Sequence, residues 1–228
     1  MTAIDARARG GAPPSGAGFR FIIVFLLVLA QLVFEILSPD ADWSRAVGIA
    51  LAGAALSVAV TTSRERAQVR RARALLVAGL ALLVVIGVAA GLLSTAVTYV
   101  IGTLVLAAIP ITIGGGIIRL INEQGVTVQA VAGALAIYLL IGLLFASAIS
   151  FVDAVEHGSY FKQTANAPNG VRVYYSFTVL TTTGFGDYTA AQPVGHALSV
   201  LEMLTGQIYL VTVIGILIGN FVGRRQRK

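Results

Sequence analysis

The sequence has no cysteine and little charge. Without cysteine the chain can form no disulfide, thiolate metal site or cysteine nucleophile. Charged residues make up 11% of its 228 residues, whereas soluble domains carry about 25%. Its two histidines, His157 and His196, are far from any acidic cluster, so we expect no histidine-based metal site within one chain. No paired carboxylates and no nucleophile–base set are recognisable, and we therefore do not expect an enzyme.

Long apolar runs dominate the sequence, which is 57% hydrophobic and has a mean hydropathy of +0.88. A bilayer-spanning helix needs about 20 apolar residues. The predicted spans are 19–37, 46–61, 74–93, 97–118, 130–152 and 194–222. Residues 74–118 form a nearly unbroken apolar stretch. We divide it into two spans at 94–96, because a single span would place the last arginine cluster on the opposite side of the membrane from the others. We predict an all-α membrane protein with six transmembrane helices.

The sequence predicts an N-terminal tail followed by a four-span membrane domain at 19–121. Residues 1–18 are rich in Gly, Ala, Pro and Arg and lack an apolar period, which predicts a disordered cytoplasmic tail. A cleaved signal peptide is the alternative for residues 1–37. The apolar run there exceeds a usual signal sequence, and no clean cleavage site closes it.

Basic residues cluster at the ends of the predicted spans, which favours a multi-pass protein of the cell membrane with both termini cytoplasmic. Topology explains the net charge of +6 better than nucleic acid does. The Arg64–Arg73 loop and the basic tail fit either this topology or binding to anionic lipid headgroups. The span 97–118 has no Lys or Arg, so we expect no voltage sensing of the usual kind.

A seven-residue motif, Thr181-Thr182-Thr183-Gly184-Phe185-Gly186-Asp187, lies between the last two predicted spans. The segment 171–181 before it is too short to span a bilayer and suits a re-entrant pore helix. The motif resembles the selectivity filter of tetrameric potassium channels, where outer helix, pore helix, filter and inner helix follow in this order. An ordinary Gly-rich turn is the alternative, and the flanking spans argue against it.

The resemblance implies a pore domain at 128–228, with outer helix 130–152, pore helix 171–181, filter 182–186 and inner helix 194–222. Backbone carbonyls would bind potassium ions in the filter; the residues implied are Thr182, Thr183, Gly184, Phe185 and Gly186. Aligning those carbonyls requires positive φ angles, which glycine adopts cheaply. One motif per chain implies a homotetramer in the lipid bilayer. The implied function is passive, potassium-selective conduction. The alternatives are a weakly selective cation channel, a subunit of a potassium uptake transporter, and a non-conducting membrane scaffold or sensor.

Further site residues follow from the same resemblance. Asp187 would attract cations at the pore mouth. The residues expected to support the filter are Tyr174, Tyr175, Thr178, Thr181 and Glu202. The tyrosines form either a cuff around the filter or an interfacial belt, and Thr178 is placed to contact Asp187. Glu202, a costly carboxylate at membrane depth, is expected to bond Thr181 or Thr205 and to confer pH sensitivity, unless it snorkels.

The inner helix is predicted to contain the cavity and the gate. Gly206 aligns with the hinge glycine of potassium channels, and Gln207 is expected to face the cavity. Leu210 is expected to belong to the cavity and gate, and a constriction is expected near Ile214 and Ile218. The alternative is that the glycines of this helix serve close packing alone.

Overall fold

The computed structural model describes residues 16–60, 67–90, 95–155, 159–217 and 219. Within these ranges the chain is helical and contains no β-sheet. The helices are α1 (Gly16–Leu37), α2 (Asp42–Val60), α3 (Ala67–Ala89), α4 (Thr95–Gln124), α5 (Val128–Val155), α6 (Asn169–Leu180) and α7 (Pro193–Ile208). Helix α7 continues directly into a π-helical segment, Tyr209–Ile214. The predicted all-helical membrane fold is thus confirmed in its secondary structure.

Four helices of the described chain are long and apolar enough to cross a membrane: Trp43–Val60, Val97–Asn122, Val128–Val155 and Pro193–Leu217. Helices α1 and α3 contain shorter apolar stretches, Phe21–Leu37 and Val77–Val88. Four membrane-spanning segments are therefore supported by length and composition, and the count of six stays a prediction.

Several helix boundaries differ from those expected. Helix α1 already begins at Gly16, so the end of the predicted tail is helical; residues 1–15 and the loop 61–66 lie outside the described residues. The pore helix α6 begins at Asn169, immediately after Pro168, whose extended backbone marks the helix start. Pro110 does not break α4, which continues through it from Thr95 to Gln124. Neighbouring helices can accommodate such a proline in a membrane bundle.

One apolar core joins the first helices to the pore region. Side chains of α1, α2, α4 and α5 meet in it, among them Val24, Ala55, Ile109 and Leu140, all with no solvent exposure. Val173 of α6 is buried in the same core. The abundance of alanine at these contacts lets the helices approach closely. Helices α1 and α4 therefore pack against the outer helix of their own chain, and α1 also packs against the pore helix.

Candidate functional site

The segment after the pore helix has an alternating backbone. Thr182, Gly184 and Gly186 have positive φ angles of 56°, 52° and 78°, while Thr183 and Phe185 do not. In a regular strand successive carbonyls point to opposite sides; a left-handed residue at every second position instead lets them face one side. The expected positive φ angles at both glycines are present. Thr182 adopts the same conformation although it is β-branched, so its backbone is strained.

Hydrogen bonds to the pore helix hold this backbone. The amides of Thr183 and Gly184 both donate to the carbonyl of Thr178, at 2.9 and 3.1 Å. The amide of Thr182 donates to Val179 O at 2.9 Å. The side-chain oxygen of Thr182, Oγ1, accepts a hydrogen bond from Gln207 Nε2 at 3.3 Å. The amides of residues 182–184 are therefore all hydrogen-bonded to carbonyls at the C-terminal end of the pore helix. Residues 182–187 are exposed in the single chain, where a partner can reach them.

The expected link between Thr178 and Asp187 is not formed. The hydroxyl of Thr178 donates to Tyr175 O at 2.8 Å instead. Asp187 accepts hydrogen bonds from the Tyr188 amide, at 3.1 Å, and from the Tyr174 hydroxyl. The bond to Asp187 raises the pKa of Tyr174. The expected contact does not form because the Thr178 hydroxyl donates to a backbone carbonyl of its own helix instead. A carbonyl one turn back is always within reach of a threonine in a helix.

The two adjacent tyrosines face different neighbours. The ring of Tyr174 is parallel to that of Phe185, with centroids 6.4 Å apart. Tyr175 is buried; its hydroxyl is hydrogen-bonded to Ser199 Oγ of α7 at 2.8 Å, and its ring meets Phe161 edge-on at 5.0 Å. One tyrosine thus contacts the filter and the other ties the pore helix to the inner helix.

Glu202 lies at the junction of the outer, pore and inner helices. Its side chain and that of Ser176 have no solvent exposure, so it does not snorkel. Its Oε1 is hydrogen-bonded to Ser176 Oγ, which also lies 2.7 Å from Gly142 O. The expected partners, Thr181 and Thr205, instead donate to carbonyls of their own helices. A serine hydroxyl has one hydrogen for these two acceptors, so it can donate fully to only one of them.

Gly206 marks the closest approach of the inner helix to the pore helix. A Cβ atom at this position would lie 2.4 Å from Leu180 O and 2.9 Å from Leu180 Cδ1. The helix continues without a break through this residue. Packing alone therefore requires a glycine here, and a hinge at Gly206 stays a prediction. Gln207, on the exposed side, reaches Thr182 as described.

The predicted constriction is not supported for Ile214. Its side chain is buried against the outer helix, in a cluster with Val126, Ala134 and Leu217, and Leu210 packs at the edge of the same cluster. A straight α-helix that buries Glu202 and Gly206 would also bury residue 213. The π-helical segment inserts one residue per turn, which moves the buried position from 213 to 214. Ile218 lies outside the described residues.

Comparison with known proteins identifies the part of the chain that contains this site. Residues 126–222 match the family model described as "Ion channel". A relative, potassium voltage-gated channel subfamily A member 5 of Rattus norvegicus, is 30% identical over 90 residues. The match covers 39% of this chain and 14% of the rat protein. No solved structure matches the chain significantly.

Residues 126–222 are therefore similar to ion channels. The resemblance to potassium channels that the filter motif predicts is thereby confirmed. The matched residues contain the outer helix, the pore helix, the filter and the described part of the inner helix.

Sequence reasoning missed a polar cluster beside this ion channel pore. Arg172 of the pore helix is 8% exposed and forms an ion pair of 2.6 Å with Asp153 of α5. It also donates to Tyr99 OH at 3.3 Å and lies 3.9 Å from Asp40. Removing one partner of such a buried pair costs about 3–5 kcal/mol. Two acids and one base, on one loop and two helices, were the available signal, but only the fold shows that these side chains meet.

The loop between the outer helix and the pore helix also supports the filter. Phe161 pairs with Ala190, just beyond the filter, in a short antiparallel bridge. Tyr160, buried beneath it, hydrogen-bonds Gly195 O at 3.5 Å. Burial raises the pKa of the Tyr160 hydroxyl. This loop thus holds the segment that follows the filter in its own chain.

One chain alone does not enclose an ion. The filter is exposed, and the described residues contain no group of His, Cys, Asp and Glu that could hold a metal ion. Oxygen atoms for a cation would come from the backbone, aided by the negative end of the pore-helix dipole, which points toward the filter. The arrangement can present a row of carbonyls to an ion that copies of the chain share.

Proposed function

We propose that the chain forms a homotetrameric potassium channel that conducts K⁺ passively and selectively. The observation that carries this proposal is the alternation of positive φ at Thr182, Gly184 and Gly186, combined with amides drawn back to Thr178. A cation that enters loses water and needs oxygen ligands in exchange, and a ring of backbone carbonyls supplies them. Potassium ions are the expected occupants of residues 182–186.

The tetramer is inferred from what a single chain leaves uncovered. The exposed face of the inner helix is apolar; its large exposed side chains include Val200, Leu201, Leu204, Ile208 and Val211. The filter is exposed beside that face. Because each chain contributes one filter segment, coordination from all sides requires several copies around one axis, and closed cyclic symmetry satisfies this.

Voltage insensitivity is proposed from the composition of α4. Residues 97–118 contain no Lys or Arg, whereas a voltage sensor moves several basic side chains through the membrane field. The name of the rat relative refers to voltage gating, and that property belongs to the rat protein. We also propose six spans with both termini cytoplasmic, on the side where arginines accumulate. Anionic lipids are proposed as neighbours of that side.

The test is ion flux in liposomes that contain the purified protein. Under opposed K⁺ and Na⁺ gradients, the wild type should pass K⁺ in strong preference to Na⁺. Gly184→Ala should abolish selective flux, because alanine at φ 52° costs roughly 1–2 kcal/mol and shifts the carbonyls. The fold of the single chain should survive, since no atom of that chain lies within 4 Å of the added Cβ, and we expect assembly to survive with it.

Gly79→Ala is the matched control, because the new Cβ also meets open space and the backbone of α3 is an ordinary helix. This variant should conduct like the wild type. Unchanged K⁺ selectivity in Gly184→Ala would remove the filter assignment. Equal K⁺ and Na⁺ flux through the wild type would favour the weakly selective channel, and a monomeric purified protein would favour the transporter subunit.

A further inference from the structure

The end of helix α1 lies directly against the start of the pore helix α6. Asn169, the first residue of α6, donates from its side-chain amide to the carboxyl group of Glu35. A Cβ atom at Gly170 would lie 2.5 Å from the backbone oxygen of Ile36, so the two helices are in close contact there. The first turn of the pore helix is thus held by a helix that precedes the pore region.

Arg172, in the same turn of α6, extends these contacts to three further parts of the chain. Its Nη1 donates to the Tyr99 hydroxyl of α4 at 3.3 Å and lies 3.9 Å from the carboxylate of Asp40, in the loop between α1 and α2. Its Nη2 forms the 2.6 Å ion pair with Asp153 of α5. One side chain therefore connects the pore helix with the outer helix and with two elements that precede it.

The pair of Arg172 and Asp153 is fixed rather than loosely placed. Their side chains are only 9% and 11% exposed. The second carboxylate oxygen of Asp153 accepts a hydrogen bond from the Tyr160 amide at 3.1 Å. A guanidinium group is planar and offers its donors in a rigid fork, and leaving either charge of a buried pair without its partner is costly. The position of Arg172 is therefore set by the groups around it.

The opposite end of the same helix holds the filter. Carbonyls of its last turn, Thr178 O and Val179 O, accept the amide hydrogen bonds of residues 182–184. Helix α6 has 12 residues and is about 18 Å long. Rigid helices transmit displacements between distant sites, so a shift or tilt of α6 at Arg172 changes where these carbonyls lie. The filter backbone that they hold then changes as well.

We propose that Arg172 is a positioning residue through which α4 and the loop between α1 and α2 influence the ion selectivity of the filter. It lies in the first turn of α6, whereas the filter follows the last turn, so it acts through the helix and not on the ion. This inference rests on the proposed potassium conduction. The bond to Tyr99 is the part that tests the role of the preceding helices, because Asp153 belongs to the outer helix.

The experiment measures the ratio of K⁺ to Na⁺ flux through the full-length protein in liposomes. Arg172→Gln should lower this ratio roughly threefold or more, within the range by which residues distant from a site modulate it. Arg172→Lys keeps the charge but not the fork, and its ratio should lie between those of Arg172→Gln and the wild type. A purely structural role would reduce the amount of folded protein and both fluxes together, and would leave the ratio unchanged.

Tyr99→Phe removes only the hydroxyl that α4 offers to Arg172, and it should lower the flux ratio in the same direction. Added to Arg172→Gln it should lower the ratio no further, because residues that act through one contact are not additive. Tyr138→Phe is the matched control. It removes a hydroxyl from α5 that has no hydrogen-bond partner among the described residues, and it should keep the wild-type ratio.

The variants separate this inference from the proposed function. A potassium-selective wild type whose ratio is unchanged in Arg172→Gln would overturn the inference alone. An unchanged ratio in Tyr99→Phe would do the same, and this variant decides the matter if Arg172→Gln does not fold. An equal loss of selectivity from Tyr99→Phe with and without Arg172 would also overturn it. Equal K⁺ and Na⁺ flux through the wild type would overturn both the inference and the proposed function.

Discussion

Glu202 joins three helices through a single serine. Its carboxyl bonds Ser176 of the pore helix, and the same serine reaches Gly142 O of the outer helix. The other carboxyl oxygen, Oε2, is buried without a hydrogen-bond partner among the described residues. A charged carboxylate with an unpaired oxygen is costly in such a place. The neutral acid satisfies the arrangement, because it supplies the hydrogen that Ser176 lacks.

The protonation of Glu202 predicts a pH response. At low pH the carboxyl keeps its proton and the three helices stay joined. As pH rises and the proton leaves, Ser176 can serve only one of its two acceptors, and the pore helix loses support. We expect the preference for K⁺ over Na⁺ to fall as pH rises in the wild type. In Glu202→Gln it should stay constant, because the amide keeps its N–H at every pH.

Liposome flux measured across pH checks this prediction. The matched comparison is Ser176→Ala, which removes the serine that links the two acceptors and should lower selectivity at all pH values. Identical pH curves for the wild type and Glu202→Gln would remove Glu202 from the mechanism.

For individual residues of the filter, the sequence predicted some features of the backbone and not others. The positive φ angles of Gly184 and Gly186 were predictable, because glycine is the residue that adopts them cheaply. The same conformation at Thr182 was not, since it depends on hydrogen bonds to Val179 O and from Gln207. The partner of Glu202 was also missed, because a sequence does not give the register between two packed helices.

The inner helix changes its geometry just beyond its crossing with the pore helix, where it packs against the outer helix. It runs as an α-helix to Ile208 and then as a π-helix over Tyr209–Ile214. Tyr209 anchors the change, since its hydroxyl donates to Ala134 O of the outer helix at 2.8 Å and its ring stacks on Tyr138. Such π-segments frequently occur at functional sites. Hydrophobic periodicity predicts a helix here but cannot reveal one inserted residue, so the burial of Ile214 against the outer helix was not predictable.

The close crossing of the inner and pore helices predicts the effect of Gly206→Ala. The new Cβ would lie 2.4 Å from the backbone oxygen of Leu180, so one helix must shift. Overpacking of this kind costs about 1–3 kcal/mol. We expect a lower thermal unfolding midpoint and reduced K⁺ flux, because Leu180 precedes the filter directly.

Gly115→Ala in α4 is the matched control for this variant. Both substitutions gain the same helix propensity, about 0.5–1 kcal/mol, but the Cβ at residue 115 meets no atom within 4 Å. It should leave stability equal or slightly higher. Wild-type stability in Gly206→Ala would show that the two helices are not in the close contact described.

The whole chain combines a membrane bundle with an incomplete pore. Its first helices share one apolar core with the outer and pore helices, an arrangement that periodicity in the sequence could not establish. The order of outer helix, pore helix, filter and inner helix was predictable from the motif and its flanking apolar runs. The exposed filter and the apolar face of α7 remain uncovered in one chain, and their symmetric pairing with other copies is the central proposal.

A density map of the purified protein in K⁺ tests that proposal most directly. Our account predicts four copies around one axis, with ion density between the carbonyls of Thr182, Thr183, Gly184 and Phe185. A map in which Gly184 and Gly186 lie in a solvent-facing loop, with no axis shared between copies, would contradict it.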